Sequence, residues 1–258
     1  MDLRKLKLGK MPARSLVGIR SLRDLVIEGE VPEVCDWSLG HSSEWGMMRN
    51  DEIGCCTVAS AAHMVQCWSH NVGSEVVLSD DVVEGFYSEV SGFSRGVPGS
   101  DTGAYMLDVL NAWRDRGLGG HGIFDFLSVD VDSSRLLRFG AWRFGGLHVG
   151  FMLPNAILGV GVGGVWDVPG CGLVDEGEPG SWGGHAMSVV SFDSSGVVVV
   201  TWGMLQRMTW EFFFAYCDEA FVVLSGDWIG PDGKSPSGFM LEQLRGDLGS
   251  PIEGGSDE

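Results

Sequence analysis

The sequence changes character near its middle, and this change limits the folds that are open to it. The first half carries apolar residues at helical spacing, whereas the second half holds short Val-rich stretches bounded by Gly, Asp, Ser or Pro. Glycine is frequent, at 40 of 258 residues, against an average of about 7%. Helices followed by antiparallel strands with many turns predict an α+β protein of two lobes, with a site in the cleft between them.

Three helices are predicted in the first half. The first runs from Cys56 to Trp68, where small and apolar residues allow close packing, and Gly54 marks the turn before it. The second is expected to begin after Ser79 as its cap, and the third to run from Thr102 towards Arg116. Because Cys56 opens the first helix, its thiol is expected near the positive end of that helix dipole.

Short strands and one short helix are predicted in the second half. The leader at the start of the chain is predicted to contain one short helix around residues 21–27. We divide the chain into a basic leader (1–49), a helical lobe (50–125), an antiparallel, barrel-like β lobe (126–246) and an acidic flexible tail (247–258). The predicted strands are His148–Leu153, Ala186–Phe192, Val197–Trp202 and Ala220–Leu224, with the helix at Thr209–Cys217.

The charge distribution excludes some partners. A net charge of −18 argues against nucleic acid or an anionic membrane as the main partner. Residues 1–23 instead carry a net charge of +6, so the remainder carries −24. This basic arm is expected either to lie across the acidic body of its own chain or to dock onto an acidic partner.

Localisation follows from what the sequence lacks. It contains no run of about 20 apolar residues and no signal peptide, which predicts synthesis in the cytoplasm. The six cysteines have no C-x-x-C pair and no regular framework, so reduced thiols are expected. We predict no cofactor and no metal, because His63 and His70 share a helical face without a third ligand at usable spacing.

Cys56 and His185 are the best candidates for chemistry. A thiol attacks as thiolate, and a helix N-terminus together with a neighbouring imidazolium favours that form. His185 follows Gly183-Gly184, which leaves room around the ring, and precedes a strand that would hold it rigidly. Such a pair meets in space rather than in sequence.

Three segments resemble the papain-like cysteine peptidases. The run Asn50-Asp51-Glu52-Ile53-Gly54-Cys55-Cys56-Thr57-Val58-Ala59-Ser60 resembles their nucleophile segment, with an amide six residues before the cysteine and a glycine two before it. Gly183-Gly184-His185-Ala186-Met187-Ser188-Val189-Val190 is similar to their histidine strand, and Val200-Thr201-Trp202-Gly203 to their Asn-Ser-Trp-Gly segment. This resemblance implies a papain-like two-lobe fold acting on proteins or peptides.

A closer resemblance, over about residues 45–225, is to uncharacterised papain-like proteins of tailed phages and prophages. It implies a phage or prophage origin, synthesis in the host cytoplasm, a place in the virion, and phage structural proteins as partners of the basic arm. Its landmarks are the His185 and Thr201 segments together with Trp45-Gly46-Met47, Asp101-Thr102-Gly103, Trp166-Asp167-Val168 and Tyr216-Cys217-Asp218-Glu219-Ala220.

The papain-like resemblance assigns roles to four residues. Cys56 would be the nucleophile, His185 the general base and then acid, and Asn50 the oxyanion donor. Papain relatives orient the imidazole with an Asn, where this chain has Val200 or Thr201 depending on a one-residue gap. Thr201 is the candidate because its hydroxyl can hold the ring. Asp193 is a weaker alternative for that role, and Cys55 is a rival nucleophile that we assign to packing.

Three functions fit these residues. The first is a thiol hydrolase, most readily a peptidase, in which Cys56 attacks a carbonyl. The second is a catalytically weak or inactive papain-fold virion or assembly protein that acts by protein–protein binding. The third is a Cys-His transferase such as a transglutaminase or amidase.

Overall fold

A computed structural model describes residues 2–25, 30–41, 44–161 and 163–240. Within these ranges the chain forms five α-helices and a seven-stranded antiparallel sheet. The helices are α1 (Cys56–Asn71), α2 (Asp80–Ser91), α3 (Met106–Arg116), α4 (Ser134–Arg143) and α5 (Trp210–Tyr216). The strands are β1 (Cys35–Asp36), β2 (Ile123–Ser128), β3 (Leu147–Leu153), β4 (Gly183–Phe192), β5 (Gly196–Thr201), β6 (Met204–Thr209) and β7 (Cys217–Ser225).

The sheet has the order β2-β7-β3-β4-β5-β6, and β1 pairs with the far end of β4. Each pairing between these strands is antiparallel. β4 therefore lies inside the sheet, with its first residues, including His185, opposite the last residues of β3. The predicted α+β class, with helices first and an antiparallel sheet after them, is confirmed.

Helix α1 is the centre of the core. Its residues from Cys56 to Ser69 are buried, so the helix has almost no solvent face. It packs against β4, and the contact includes a polar group: Ser60 Oγ lies 2.8 Å from His148 Nδ1 and 3.0 Å from Ser188 Oγ. Buried polar groups need partners, so these hydrogen bonds fix how α1 sits on the sheet.

The helix starts that were predicted from capping residues are correct. α1 begins at Cys56, and Ser79 caps α2 by accepting a hydrogen bond from the Val82 amide. The third helix begins at Met106 rather than Thr102, because Gly103 has a positive φ of 81° and Ala104 forms a β-bridge with Lys10.

Several elements differ from the sequence-based prediction. The leader forms a 3₁₀ turn at Leu22–Asp24, and residues 26 and 27 of the predicted helix lie outside the described residues, as does the tail 247–258. Strands β1, β2 and β6 and helix α4 were not predicted. The four-segment division stays a prediction; β2 spans its boundary at residue 125 because that strand pairs with β7.

The basic arm lies across the acidic body. Arg14 pairs with Asp108 at 2.7 Å, and Arg20 and Arg23 lie close to Asp125 and Asp130. These pairs are partly exposed, so each contributes about 0–1 kcal/mol. None of the helices in the described ranges has the length and apolar character that a bilayer span requires.

We expect Ser60→Ala to lower the free energy of unfolding by about 1–3 kcal/mol, because it leaves a nitrogen of the buried His148 ring without its partner. Urea denaturation measures the change. Ser74→Ala, at an exposed serine, is the matched control and should change the free energy by less than about 0.5 kcal/mol. Equal effects of the two substitutions would contradict this view of the α1–β4 contact.

Candidate active site

Cys56 occupies the first position of α1, and its side chain is almost fully buried. The preceding turn is held by Asp101, whose carboxylate accepts a hydrogen bond from the Gly54 amide at 3.0 Å. Tyr87 donates its hydroxyl to Asp101 at 2.7 Å and accepts from the Gly103 amide at 2.9 Å. These bonds tie the cysteine turn to the loop before α3, so the two segments form one rigid wall of a cleft.

His185 lies on β4 and is 1% exposed. Its Nε2 is 2.8 Å from Thr201 Oγ1, and its ring stacks on Trp202 with 4.0 Å between centroids and 17° between planes. Its Nδ1 is buried and has no hydrogen-bond partner among the described residues. With Nε2 held by a hydroxyl and the ring face held by an indole, Nδ1 is the nitrogen left for proton transfer.

The Thr201 hydroxyl differs from an amide oxygen in one respect that matters for chemistry. A hydroxyl can either accept a hydrogen bond from Nε2–H or donate a hydrogen bond to an unprotonated Nε2, whereas an amide oxygen can only accept one. An imidazolium at His185 therefore keeps a partner at Thr201, and the neutral ring is free to adopt either tautomer.

The stacking indole is carried by a strained turn. Thr201 pairs with Met204, so Trp202 and Gly203 form a two-residue hairpin loop, with φ of 44° and 71°. A type I′ turn requires positive φ at both positions, which costs a non-glycine residue about 1–2 kcal/mol. Stacking on His185 and a 3.1 Å hydrogen bond from Trp202 Nε1 to the Lys7 carbonyl offset this cost.

The cleft is filled by the chain's own N-terminal segment, residues 7–11, which we name the plug. The Gly9 and Lys10 amides both donate to the Gly184 carbonyl, at 3.3 and 3.1 Å. On the opposite wall, the Ala104 amide donates a hydrogen bond to the Gly9 carbonyl at 2.8 Å, and the Ala104 carbonyl accepts one from the Met11 amide at 3.0 Å. The plug thus bridges the α3 loop and β4, directly over Cys56.

Close approach at Gly9 requires glycine. A Cβ atom at this position would come within 1.8 Å of the Gly54 carbonyl oxygen, which is backbone and cannot move aside cheaply. The backbone amides of Gly9 and Ala186 lie near enough to the Cys56 sulfur to oppose the rise in its thiol pKa. The plug therefore places a backbone N–H group close to the sulfur.

Burial suppresses ionisation of both candidate residues in this closed state. It raises the pKa of the Cys56 thiol to about 11, although the Ala186 and Gly9 amides and the Lys10 ammonium oppose the shift. Burial also lowers the pKa of His185 to about 3. Near neutral pH the pair is thus a thiol and a neutral imidazole, because the low-dielectric site disfavours both charged forms.

Asn50 lies at the other end of the plug. It is buried, and its Nδ2 donates to the Ile53 carbonyl at 3.2 Å and to the Lys7 carbonyl at 3.4 Å. The Lys7 carbonyl also accepts from Trp202, so two side-chain donors converge on one peptide oxygen in the cleft. Convergent donors of this kind are the chemical requirement of an oxyanion site.

The alternatives for these roles lie elsewhere. The Cys55 thiol donates to the Met48 carbonyl at 3.3 Å, inside the core, and burial raises its pKa well above the usual range. Asp193 pairs with Arg207 at 2.7 Å in the β4–β5 turn.

One group of metal-ligand side chains occurs at the far end of α1. The ligand atoms of His41, His70 and Glu75 lie within 4.8 Å of one another, with His41 Nδ1 3.0 Å from Glu75 and the two rings stacked at 3.9 Å. The sequence paired His70 with His63 instead, whose Nε2 faces the carbonyls of Trp45 and Gly46. The group can hold a metal ion, but α1 separates it from Cys56 by about 20 Å.

Comparison with known proteins identifies the fold. No protein-family model and no curated protein sequence matches the chain. Among solved structures it is similar to xylellain, a cysteine protease from Xylella fastidiosa, with a TM-score of 0.65 and 15% identity over 86% of this chain and 97% of that one. The fold is that of papain-like cysteine proteases.

Two further structures share this fold. One is the digestive procathepsin L 3 of Tenebrio molitor larval midgut, with a TM-score of 0.57 and 14% identity over 86% of this chain and 77% of that one. The other is the Carica candamarcensis cysteine protease CMS1MS2 in complex with E-64, with a TM-score of 0.53 and 13% identity over 76% of this chain and 99% of that one.

The four residues proposed from the sequence have these contacts: Asn50 donates to the plug at the Lys7 carbonyl, Thr201 contacts His185, and Cys56 lies near the Gly9 and Ala186 amides. Their catalytic roles stay predictions. What the sequence did not reveal is the plug and the residues that bind it, above all Lys10 and its partners Asp218 and Glu219. A basic arm on an acidic chain was the available signal, but it did not indicate which lysine enters which pocket.

In the intact chain we expect iodoacetamide to modify Cys56 slowly, about 100-fold or more below the exposed Cys171, because the thiolate is the reactive form and little of it exists. The Cys56 rate should rise from pH 6 to pH 10 without a plateau, since a thiol below its pKa gains about tenfold in thiolate per pH unit. Peptide mass spectrometry resolves the two sites. A Cys56 that reacts faster than Cys171 at pH 6 would contradict the closed state.

Proposed function

We propose that this protein is a papain-like cysteine peptidase that its own plug holds in a latent state. The observation that carries the proposal is the His185 ring: Nε2 is bound by Thr201, one face is covered by Trp202, and Nδ1 has no partner among the described residues. The buried His148 also has one ring nitrogen without such a partner, so the proposal depends equally on the position of His185 next to Ala186, whose amide lies near the Cys56 sulfur. The papain-like fold of the chain supports the same activity.

In this proposal Cys56 attacks the substrate carbonyl carbon while His185 accepts the thiol proton on Nδ1. The imidazolium that forms donates Nε2–H to Thr201 Oγ1. The developing oxyanion is held by Asn50 Nδ2 and by the backbone amide of Cys56 at the helix N-terminus. His185 then returns the proton to the leaving amine, and water releases the acyl group from the sulfur.

Latency follows from the position of the plug. It fills the cleft beside Cys56, and it buries both reactive groups so that neither ionises near neutral pH. Release of the plug would admit water to the cleft, and the burial that opposes the thiolate–imidazolium pair would then be removed. Among the structural neighbours, the Tenebrio molitor protein is likewise a pro-form by name.

The alternative, a binding protein of a phage particle that has lost its activity, rests on the resemblance to phage proteins and on the replacement of the expected Asn by Thr201. In that case the basic arm would dock onto a partner. Arg14, Arg20 and Arg23 already lie against acidic groups of the same chain, which favours the intramolecular role. A transferase activity would use the same residues, and an amine rather than water would accept the acyl group from the Cys56 sulfur.

Lys10→Ala should activate the full-length chain. It removes the cation from a buried ion-pair group, which typically costs about 3 kcal/mol, and so raises the open population about 100-fold. We expect Cys56 to be alkylated at least about tenfold faster at pH 6 than in the unsubstituted chain, and a casein or peptide substrate to be cleaved.

Two variants control this experiment. Arg14→Ala removes a neighbouring cation of the plug region that pairs with Asp108 at an exposed site, and it should leave the Cys56 rate unchanged within about twofold. Lys10→Ala combined with Cys56→Ala should cleave nothing. Cleavage that survives Cys56→Ala, or a Cys56 in Lys10→Ala that is alkylated no faster than Cys56 in the unsubstituted chain, would exclude the proposed mechanism.

In the Lys10→Ala background, Thr201→Val keeps the side-chain shape but removes the hydroxyl that holds Nε2, so kcat/KM should fall about tenfold to a hundredfold. Thr201→Ser retains the hydroxyl and should stay within about threefold. The pH profile of kcat/KM separates the role of Thr201 from simple packing, since loss of a partner of the imidazolium lowers the pKa of His185. An unchanged profile in Thr201→Val would show that the hydroxyl does not act through the ring.

A further inference from the structure

The Lys10 side chain is wholly buried in a pocket of opposite charge. Its Nζ lies 2.8 Å from Asp218 Oδ2 and 3.1 Å from Glu219 Oε1, and it donates to the Met11 carbonyl at 3.1 Å. Both carboxylates come from the start of β7, at the edge of the cleft. We name the group formed by Gly150, Asp218 and Glu219 the lysine pocket.

The pocket is shaped for a long, unbranched side chain. Gly150 on β3 forms its floor, and a Cβ atom there would lie 2.0 Å from Lys10 Cε and 2.8 Å from Glu219 Cγ. Any other residue at position 150 would therefore close the space that the lysine methylenes occupy. The length of the pocket, from the cleft to the two carboxylates, matches a side chain of four methylenes.

The charges in the pocket do not balance. Two carboxylates face one ammonium group, and Asp218 Oδ1 is buried without a hydrogen-bond partner among the described residues. Glu219 is 5% exposed, and burial raises its pKa, with Asp218 acting in the same direction and Lys10 against it. When the plug leaves, these acids remain in a partly buried site with no cation.

Stability alone does not account for this arrangement. Burying an ion pair gains little over packing apolar side chains of the same volume, because desolvation cancels most of the attraction. Apolar residues would anchor the plug as well. A pocket that retains one buried and one half-buried acid is instead suited to distinguish a basic side chain from an apolar one.

The pocket opens into the cleft next to the nucleophile. Lys10 enters it while its own amide donates to Gly184, the residue before His185. The adjacent Gly9 lies against the turn that precedes Cys56, since a Cβ atom on Gly9 would come within 1.8 Å of the Gly54 carbonyl oxygen. A peptide that takes the place of the plug would therefore reach the pocket with a side chain one or two residues from the residue that lies beside Cys56.

We propose that the lysine pocket is a specificity site that selects substrates with a Lys or Arg side chain one or two residues from the scissile bond. This inference rests on the proposed peptidase function. The plug occupies the pocket with the same chemical group that a substrate would supply, so substrate and plug compete for one site.

The test uses the full-length Lys10→Ala chain and fluorogenic peptides that differ at one position only, Lys against norleucine, which has the same methylenes without the amine. The two positions before the scissile bond and the two positions after it are varied one at a time. At one of them Lys should exceed norleucine in kcat/KM by at least tenfold. Adding Glu219→Gln and Asp218→Asn should reduce this ratio to about two or less while norleucine peptides are still cleaved.

A binding measurement without turnover separates the two proposals. In Lys10→Ala, n-butylammonium should raise the melting temperature whereas n-butanol should not, and Glu219→Gln with Asp218→Asn should abolish the rise. Cleavage without a preference for Lys or Arg would overturn the specificity site and leave the peptidase. If no peptide is cleaved and Cys56 does not react, the peptidase fails, and an absent butylammonium effect would then overturn the cation pocket as well.

Discussion

The packing of helix α1 on strand β4 is the contact on which the rest of the structure depends. It carries Cys56 at one helix end to the strand that bears His185. Hydrogen bonds that join Ser60 to Ser188 on β4 and to His148 on β3 fix the helix on the sheet. Because α1 is buried along almost its whole length, it cannot rotate or slide without breaking the core. The walls of the cleft are therefore held in fixed positions, and the plug binds between them.

Solvent access decides the chemistry of the two reactive groups. In the closed state burial disfavours the thiolate and the imidazolium alike, so the same side chains that would form a reactive pair are neutral. The plug acts on this equilibrium without touching the bond between Nε2 and Thr201, which stays in place for the open state. In the proposed change from the closed to the open state, the positions of the reactive side chains stay the same. Only the presence of the plug and the exposure of the site to water differ.

The two proposals together link latency to specificity through the lysine pocket. Lys10 neutralises the two acids that a basic substrate residue would otherwise meet. Under these proposals the affinity of the pocket for a cation would set both how firmly the plug is held and which peptides displace it. Substitutions that weaken the pocket should therefore loosen the plug and relax selectivity together. Such coupling is a consequence of mass action at a shared site.

The sequence by itself determined the local features: Cys56 at a helix start, His185 at the beginning of a strand, and the cap at Ser79. These depend on periodicity and on capping and turn chemistry, which act over a few neighbouring residues. Only the tertiary structure decided that Thr201 reaches His185 Nε2 and that Lys10 contacts Asp218 and Glu219, which lie 208 and 209 positions away in sequence. Contacts at that separation depend on how the sheet and α1 pack together, and no local pattern records them.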